Sequence, residues 1–209
     1  MLPFIGIVGV ASLALVLAYS LLALIAVLVW RAQRHSRAQP QLPPITILKP
    51  LCGNEPGLYD HLRSFCEQDY PRYQIIFGVG DPKDPALAIA SQLKAEYPDL
   101  RIDLVVDPQQ HGHNRKISSL INMLRHAEHD LLVMADSDAF VQPDYLAHVT
   151  TPLLDPQVGL VTCLYHSEPT KLVWSRLGAM YVNEWYMPSV LMAWLFGHQN
   201  YASGQALSA

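Results

Sequence analysis

From Phe4 to Trp30 the chain has no charged residue and is built of Leu, Val, Ala and Ile, a run longer than the ~20 residues a helix needs to cross hydrocarbon. In lipid a single segment satisfies its backbone only as a helix, so this stretch predicts a transmembrane helix. A cleaved signal peptide fits less well, because no Lys or Arg precedes the run and its length exceeds a usual apolar signal core. Arg31, Arg34 and Arg37, with His35 among them, follow directly, and the positive-inside rule places that flank in the cytoplasm. The same arginines suit anionic head groups. The chain as a whole is 51% hydrophobic and 15% charged with a mean hydropathy of +0.15, and the apolar excess is local to this anchor. The remainder is long enough for one good core.

After the anchor, Ala38 to Pro44 carries three prolines and predicts a short stiff linker. Ile45–Leu48 is the first buried strand, closed by Lys49-Pro50. A loop from Cys52 to Gly57 leads to Leu58, Leu62, Phe65 and Cys66 at helical spacing. Tyr73 to Val79 gives a second strand ending at Gly80-Asp81-Pro82, Ala86 to Tyr97 a helix, and Ile102 to Val106 a third strand. Ile117, Leu120, Ile121 and Leu124 mark another helix. A strand over Leu131–Ala135, a helix over Tyr145–Leu154 with Asp144 as its N-cap, and a strand over Val158–Tyr165 follow. Alternating strands and helices predict βαβ units and a mostly parallel α/β sheet. Leu172 to Phe196 turns aromatic and apolar around Pro188. It reads as a pair of core helices, with a place at the membrane interface as the alternative.

Leu131-Leu132-Val133-Met134-Ala135 runs straight into Asp136-Ser137-Asp138, so a strand delivers two carboxylates to the loop beyond its carboxyl end. Ligands of open α/β sheets bind there. Two hard oxygen donors so close suit Mg²⁺ or Mn²⁺, with water and phosphate filling the other positions. The plainer reading of such a pair is a solvated turn. Asp81 ends a different strand on the same sheet edge, and that convergence is what a nucleotide site requires. Asn114-Arg115-Lys116 opens a helix, where backbone N–H groups and two cations can meet phosphate; a basic solvated loop is the alternative.

Other classes are disfavoured. The net charge of −4 and pI near 6.1 give no basic field, so no nucleic-acid partner is expected. Cys52, Cys66 and Cys163 form no C-x-x-C and read as reduced thiols. His111 and His113 lack further close Cys or His ligands and read as a solvent-facing pair. Phe140 and Val141 stand where a calcium loop wants acids and glycine, and Phe140 stands where a D-x-D-x-T phosphatase wants a hydroxyl. No G-x-S-x-G, P-loop or G-x-G-x-x-G occurs. Glu184 is either a polar site residue or a helix-surface acid.

The ordered motifs Ile47-Leu48-Lys49-Pro50-Leu51, Asp69-Tyr70-Pro71, Gly80-Asp81 with Asp84-Pro85-Ala86, Asn114-Arg115-Lys116 and Asp136-Ser137-Asp138 resemble those of ceramide glucosyltransferases and their bacterial relatives. The wording of residues 51–57 and 63–68 is especially similar to the bacterial hopanoid-associated glycosyltransferases. The resemblance implies an α/β GT-A domain (a Rossmann-like nucleotide-diphospho-sugar transferase) over residues 45–209. An anchor over 1–31 and a basic, proline-bearing linker over 32–44 precede it.

The implied activity is inverting transfer of a sugar from a UDP-sugar donor to a lipid hydroxyl, of ceramide or hopanoid type, at the cytoplasmic face of a membrane, for a bacterium the inner one. By position, Asp81 and Asp136 match the family's nucleotide-binding aspartates and Asp138 completes the metal-binding D-x-D. Lys116 falls where the family keeps a basic residue near the nucleotide. The family's general base, a third aspartate, and its Q/R-x-x-R-W motif lie downstream of a segment resembling Ala202-Ser203-Gly204, and are expected beyond Ala209. The chain thus reads as the donor-binding amino-terminal part of an enzyme, incomplete at its carboxyl end. The alternative is a membrane-tethered nucleotide-sugar-binding module or a decayed enzyme without turnover.

Overall fold

In a computed structural model, residues 2–32, 42–197 and 206–208 are described. Arg34, His35, Arg37, residues 38–41 of the linker, Ala202–Gly204 and Ala209 lie outside the described residues. The described residues form two compact units.

The larger unit is an α/β sheet. Its elements are β1 (Ile45–Pro50), α2 (Leu58–Cys66), β2 (Tyr73–Val79), α3 (Ala86–Glu96), β3 (Arg101–Val106), α4 (Arg115–Leu124), β4 (Leu131–Ala135), α5 (Tyr145–Thr150), β5 (Val161–Thr162) and β6 (Ala206–Ser208). The strand order is β3-β2-β1-β4-β6-β5, with β1 to β4 parallel and β6 antiparallel to both its neighbours. From β1 the chain steps outward to β2 and β3, then returns to lay β4 on the other side of β1. The order therefore reverses between β1 and β4, and a crevice opens beyond their carboxyl ends.

Both faces of the sheet are covered, which is why β1 and β2 read as continuous apolar runs. Ile45, Ile47, Ile75, Phe77 and Val133 pack with Leu62 and Phe65 of α2, Ala90 and Leu93 of α3 and Leu146 of α5. On the other face Leu48, Ile76 and Val105 meet Met123 of α4. Thr46 and Gln74 are buried polar exceptions, and both are satisfied. The Thr46 hydroxyl donates to Gln74 Oε1 at 2.8 Å, and the Gln74 amide donates to Asp103 at 2.7 Å and to the His126 carbonyl at 3.0 Å.

Three expectations need correction in this unit. The strand expected over Val158–Tyr165 is only Val161–Thr162, and it pairs with β6 and not with the parallel strands. The edge of β4 is taken by β6, whose three residues offer only a short ladder. The helix expected to run to Leu154 stops at Thr150 and tightens into a 3₁₀ turn over Thr151–Leu154. Pro152 has no N–H to continue the ladder, and the Thr150 and Thr151 hydroxyls bond back to Leu146 and Ala147 at 2.7 and 2.6 Å. Asp144 stands at the N-cap but makes no capping bond; its carboxylate lies 3.5 Å from His148 Nδ1.

The smaller unit holds α1 (Leu2–Ala32), α6 (Val173–Met180) and α7 (Met187–Leu195), with α7 packed on α1. Over Ile7–Ala32, α1 is long and apolar enough to cross a membrane. The pair of core helices expected from Leu172 to Phe196 is instead one unbroken helical run, α6 passing into α7 through a π turn over Tyr181–Tyr186. Pro188 cannot donate to the Glu184 carbonyl, and the helix widens just before it. Its first part is not core, since Trp174 is 83% exposed and Tyr181 61%, whereas Leu191 is buried and the rest of α7 is half-buried. The Trp185 ring stacks on Tyr19 of α1 with centroids 5.3 Å apart.

Candidate nucleotide-sugar site

The loops after β1, β2, β3 and β4, with the start of α4, enclose a cleft of about 560 Å³. Asp81, Lys116, Asp136 and Asp138 all line it, together with Glu55, Asp84, Asp107 and Arg115. The parallel strands end side by side, so acids far apart in sequence arrive on one edge. Asp81 and Asp138 are exposed and Asp136 is half-buried.

Each loop is fixed by its own acid. The Lys83 backbone N–H donates to Asp81 Oδ1 at 2.8 Å, leaving the other Asp81 oxygen without a backbone donor on that turn. Asp84 accepts from Ala86 N–H at 2.9 Å and, with both oxygens, from Gly53 N–H at 3.0 Å, tying the loop after β1 to the start of α3. Gly53 holds a φ of +76°, which a side chain would strain. Asp107 accepts from Gln109 N–H at 2.8 Å. The Asn122 amide donates to the carbonyls of Asp107 and Gln109 at 3.3 and 3.0 Å, and its oxygen pairs with His111 Nε2 at 2.7 Å. His111 therefore serves this loop. Among the described residues no group of three or more His, Cys, Asp and Glu could hold a metal.

The Asp136–Asp138 turn is held from three sides. The Ser137 hydroxyl donates to Glu55 Oε2 at 2.7 Å. The Lys49 ammonium donates to the Asp136 carbonyl at 2.6 Å from beneath and sits 3.7 Å over the Phe65 ring. The Lys116 ammonium pairs with Asp136 Oδ1, and the Asn114 side chain caps α4 by accepting from Ile117 N–H at 3.2 Å. Lys49 is fully buried, and burial pulls its pKa down to about 7 against the opposing pull of Asp136, Asp138, Cys66 and Glu55. Sequence reading gave Lys49, Glu55, Asp84 and Asp107 no role in the site. The signal for Lys49 was a lysine inside an otherwise apolar strand end. Glu184 lies exposed in the smaller unit and is not among the residues lining this cleft.

A cleft so rich in carboxylates repels a diphosphate unless cations intervene. A cation already sits on Asp136, supplied by Lys116. Asp136 and Asp138 offer hard oxygens at a strand end, and the residues present fit a divalent ion completed by phosphate and water.

A profile of glycosyl transferase family 21 matches residues 9–208, and the chain belongs to that family. It is similar to ceramide glucosyltransferase 1 of Caenorhabditis elegans, 24% identical over 126 residues, covering 60% of this chain and 27% of that protein. It is also similar to the ceramide glucosyltransferase of Candida albicans, 30% identical over 141 residues, covering 62% and 26% respectively. The chain thus spans little more than a quarter of the length of these relatives. Among solved structures, the mannosyltransferase PcManGT of Pyrobaculum calidifontis, in complex with GDP-Man and Mn²⁺, superposes with a TM-score of 0.54 at 27% identity over 74% of this chain and 46% of that one. Staphylococcus aureus TarS 1–349 superposes with a TM-score of 0.50 at 15% identity over 62% and 38%. The fold is the GT-A glycosyltransferase fold.

Proposed function

We propose that the cleft is the donor site of a membrane-anchored glycosyltransferase that moves a sugar from a UDP-sugar to a lipid hydroxyl, of ceramide or hopanoid type, with inversion. The observation that carries this reading is the convergence of Asp81, Lys116, Asp136 and Asp138 on one cleft at the point where the strand order reverses. The likeness to ceramide glucosyltransferases supports the lipid acceptor, and the apolar span of α1 supports a membrane site.

In this reading Asp81 accepts a hydrogen bond from the base or ribose, and Lys116 exchanges its carboxylate partner for donor phosphate. Asp136 and Asp138 would hold Mg²⁺ or Mn²⁺, and such an ion would supply positive charge against the departing diphosphate. Glu55 and Lys49 keep the carboxylate turn in place by gripping Ser137 and the Asp136 carbonyl. The acceptor oxygen attacks the anomeric carbon from the face opposite the diphosphate. Its proton passes to a general base.

The test uses membranes carrying the protein and a UDP-sugar labelled in the sugar. Label should enter the organic-extractable lipid fraction, and Asp136→Asn should abolish it. Label found only in water-soluble products, or lipid labelling that survives Asp136→Asn, contradicts the proposal.

A further inference from the structure

We infer that the helical run Val173–Leu195 enters the same bilayer as α1, with lipid hydrocarbon covering the side of α7 turned away from α1. This is independent of the donor chemistry and rests on where the helices meet. The residues of α1 withdrawn from solvent include Tyr19, Ala23, Ala26, Val27 and Trp30, a single stripe at helical spacing, whereas Leu13, Leu15 and Leu17 stay exposed. Tyr19 takes the Trp185 ring against it and lies 3.3 Å from the Ser189 hydroxyl. At 1.5 Å per residue, roughly 20 Å of helix separate Tyr19 from Ala32. A segment lying on Tyr19 therefore lies along the apolar length of α1 and not beside Arg31. Ala23 and Ala26 on the stripe are the small residues that let membrane helices approach closely.

The partner helix has the composition for that place. From Trp185 to Phe196 there is no charge, and the hydroxyl of Ser189 is satisfied by the Trp185 carbonyl at 2.7 Å. Such a segment is roughly 18 Å long, short of the ~30 Å hydrocarbon thickness, so it enters from one side without crossing. The charges of the run, Arg176 and Glu184, precede it on the part carrying exposed Trp174 and Tyr181, rings that favour head-group level.

The test is depth-resolved fluorescence of the whole chain in phosphatidylcholine vesicles. One variant keeps Trp194 alone through Trp30→Phe, Trp174→Phe and Trp185→Phe; a second also removes Trp194 and carries Leu15→Trp as a reporter of α1. Lipids brominated in the acyl chain should quench most of the Trp194 emission, as they quench the reporter, and aqueous iodide should quench neither. If the reporter is quenched by bromolipid while Trp194 responds to iodide, or to neither agent as it would when buried against a second copy, the inference is overturned. Loss of bromolipid quenching at both positions overturns it together with the span. In the unmodified chain, a lipid with a diazirine in its acyl chain should label the Met187–Leu195 peptide. Label confined to α1 contradicts the inference even if the tryptophan variants misfold.

Discussion

Lys116 and Asp136 form an ion pair at the place where metal and phosphate are proposed to bind, so each competes for the other's partner. Lys116→Ala should therefore act in opposite directions on two ligands. Mn²⁺ alone, followed by electron paramagnetic resonance, should bind more tightly because Asp136 is released. UDP with Mn²⁺ should bind about tenfold more weakly, roughly 1.4 kcal/mol, from loss of a charge-assisted contact. Parallel weakening of both would show that Lys116 supports the turn and does not face phosphate.

Lys49 makes a separate claim at the same scale. Its pKa falls from the usual 10.5 to about 7 on folding. Between those values the unfolded chain holds a proton that the folded chain has lost, so stability rises with pH across that window and is flat below it. The thermal midpoint in detergent should increase from pH 7 toward pH 10, and Lys49→Met should remove that increase. An unchanged slope in the variant would place the titration elsewhere. Asp81, Asp136 and Asp138 could be brought to one cleft from the sequence because each follows an apolar strand. Lys49, Glu55 and Asp84 were not, since they act through backbone and hydroxyl contacts that leave no periodic trace.

Among the elements, β2 and α4 pack closely at Gly78. A Cβ built on Gly78 would stand 2.4 Å from Met123 Sδ and 3.0 Å from Ser119 Oγ, on the helix that carries Lys116 at its first turn. Gly78→Ala should cost about 1–3 kcal/mol by overpacking and weaken UDP binding by displacing α4. Adding Met123→Ala should recover part of the loss, and strict additivity in the double-mutant cycle would contradict the close packing. The buried strands β1 to β4 were readable because both faces of that part of the sheet are covered. β6 was not, because its three residues, pairing from far along the chain, carry no pattern of their own. The single helical run around Pro188 was read as two helices because a proline marks a break in sequence even where a π turn carries the helix through.

For the whole molecule, the claim is that an α/β unit with a metal-assisted donor cleft is joined in one chain to a unit built on an apolar span. Family membership and the GT-A fold agree with the first part, and the span of α1 with the second. The most direct test is calorimetric titration of UDP into the purified chain with Mn²⁺, with EDTA, and with Asp136→Ala and Asp138→Ala in Mn²⁺. The account predicts saturable binding in Mn²⁺ that EDTA and either substitution abolish. Equal UDP binding in all four conditions, or none in Mn²⁺ by a folded chain, would contradict it.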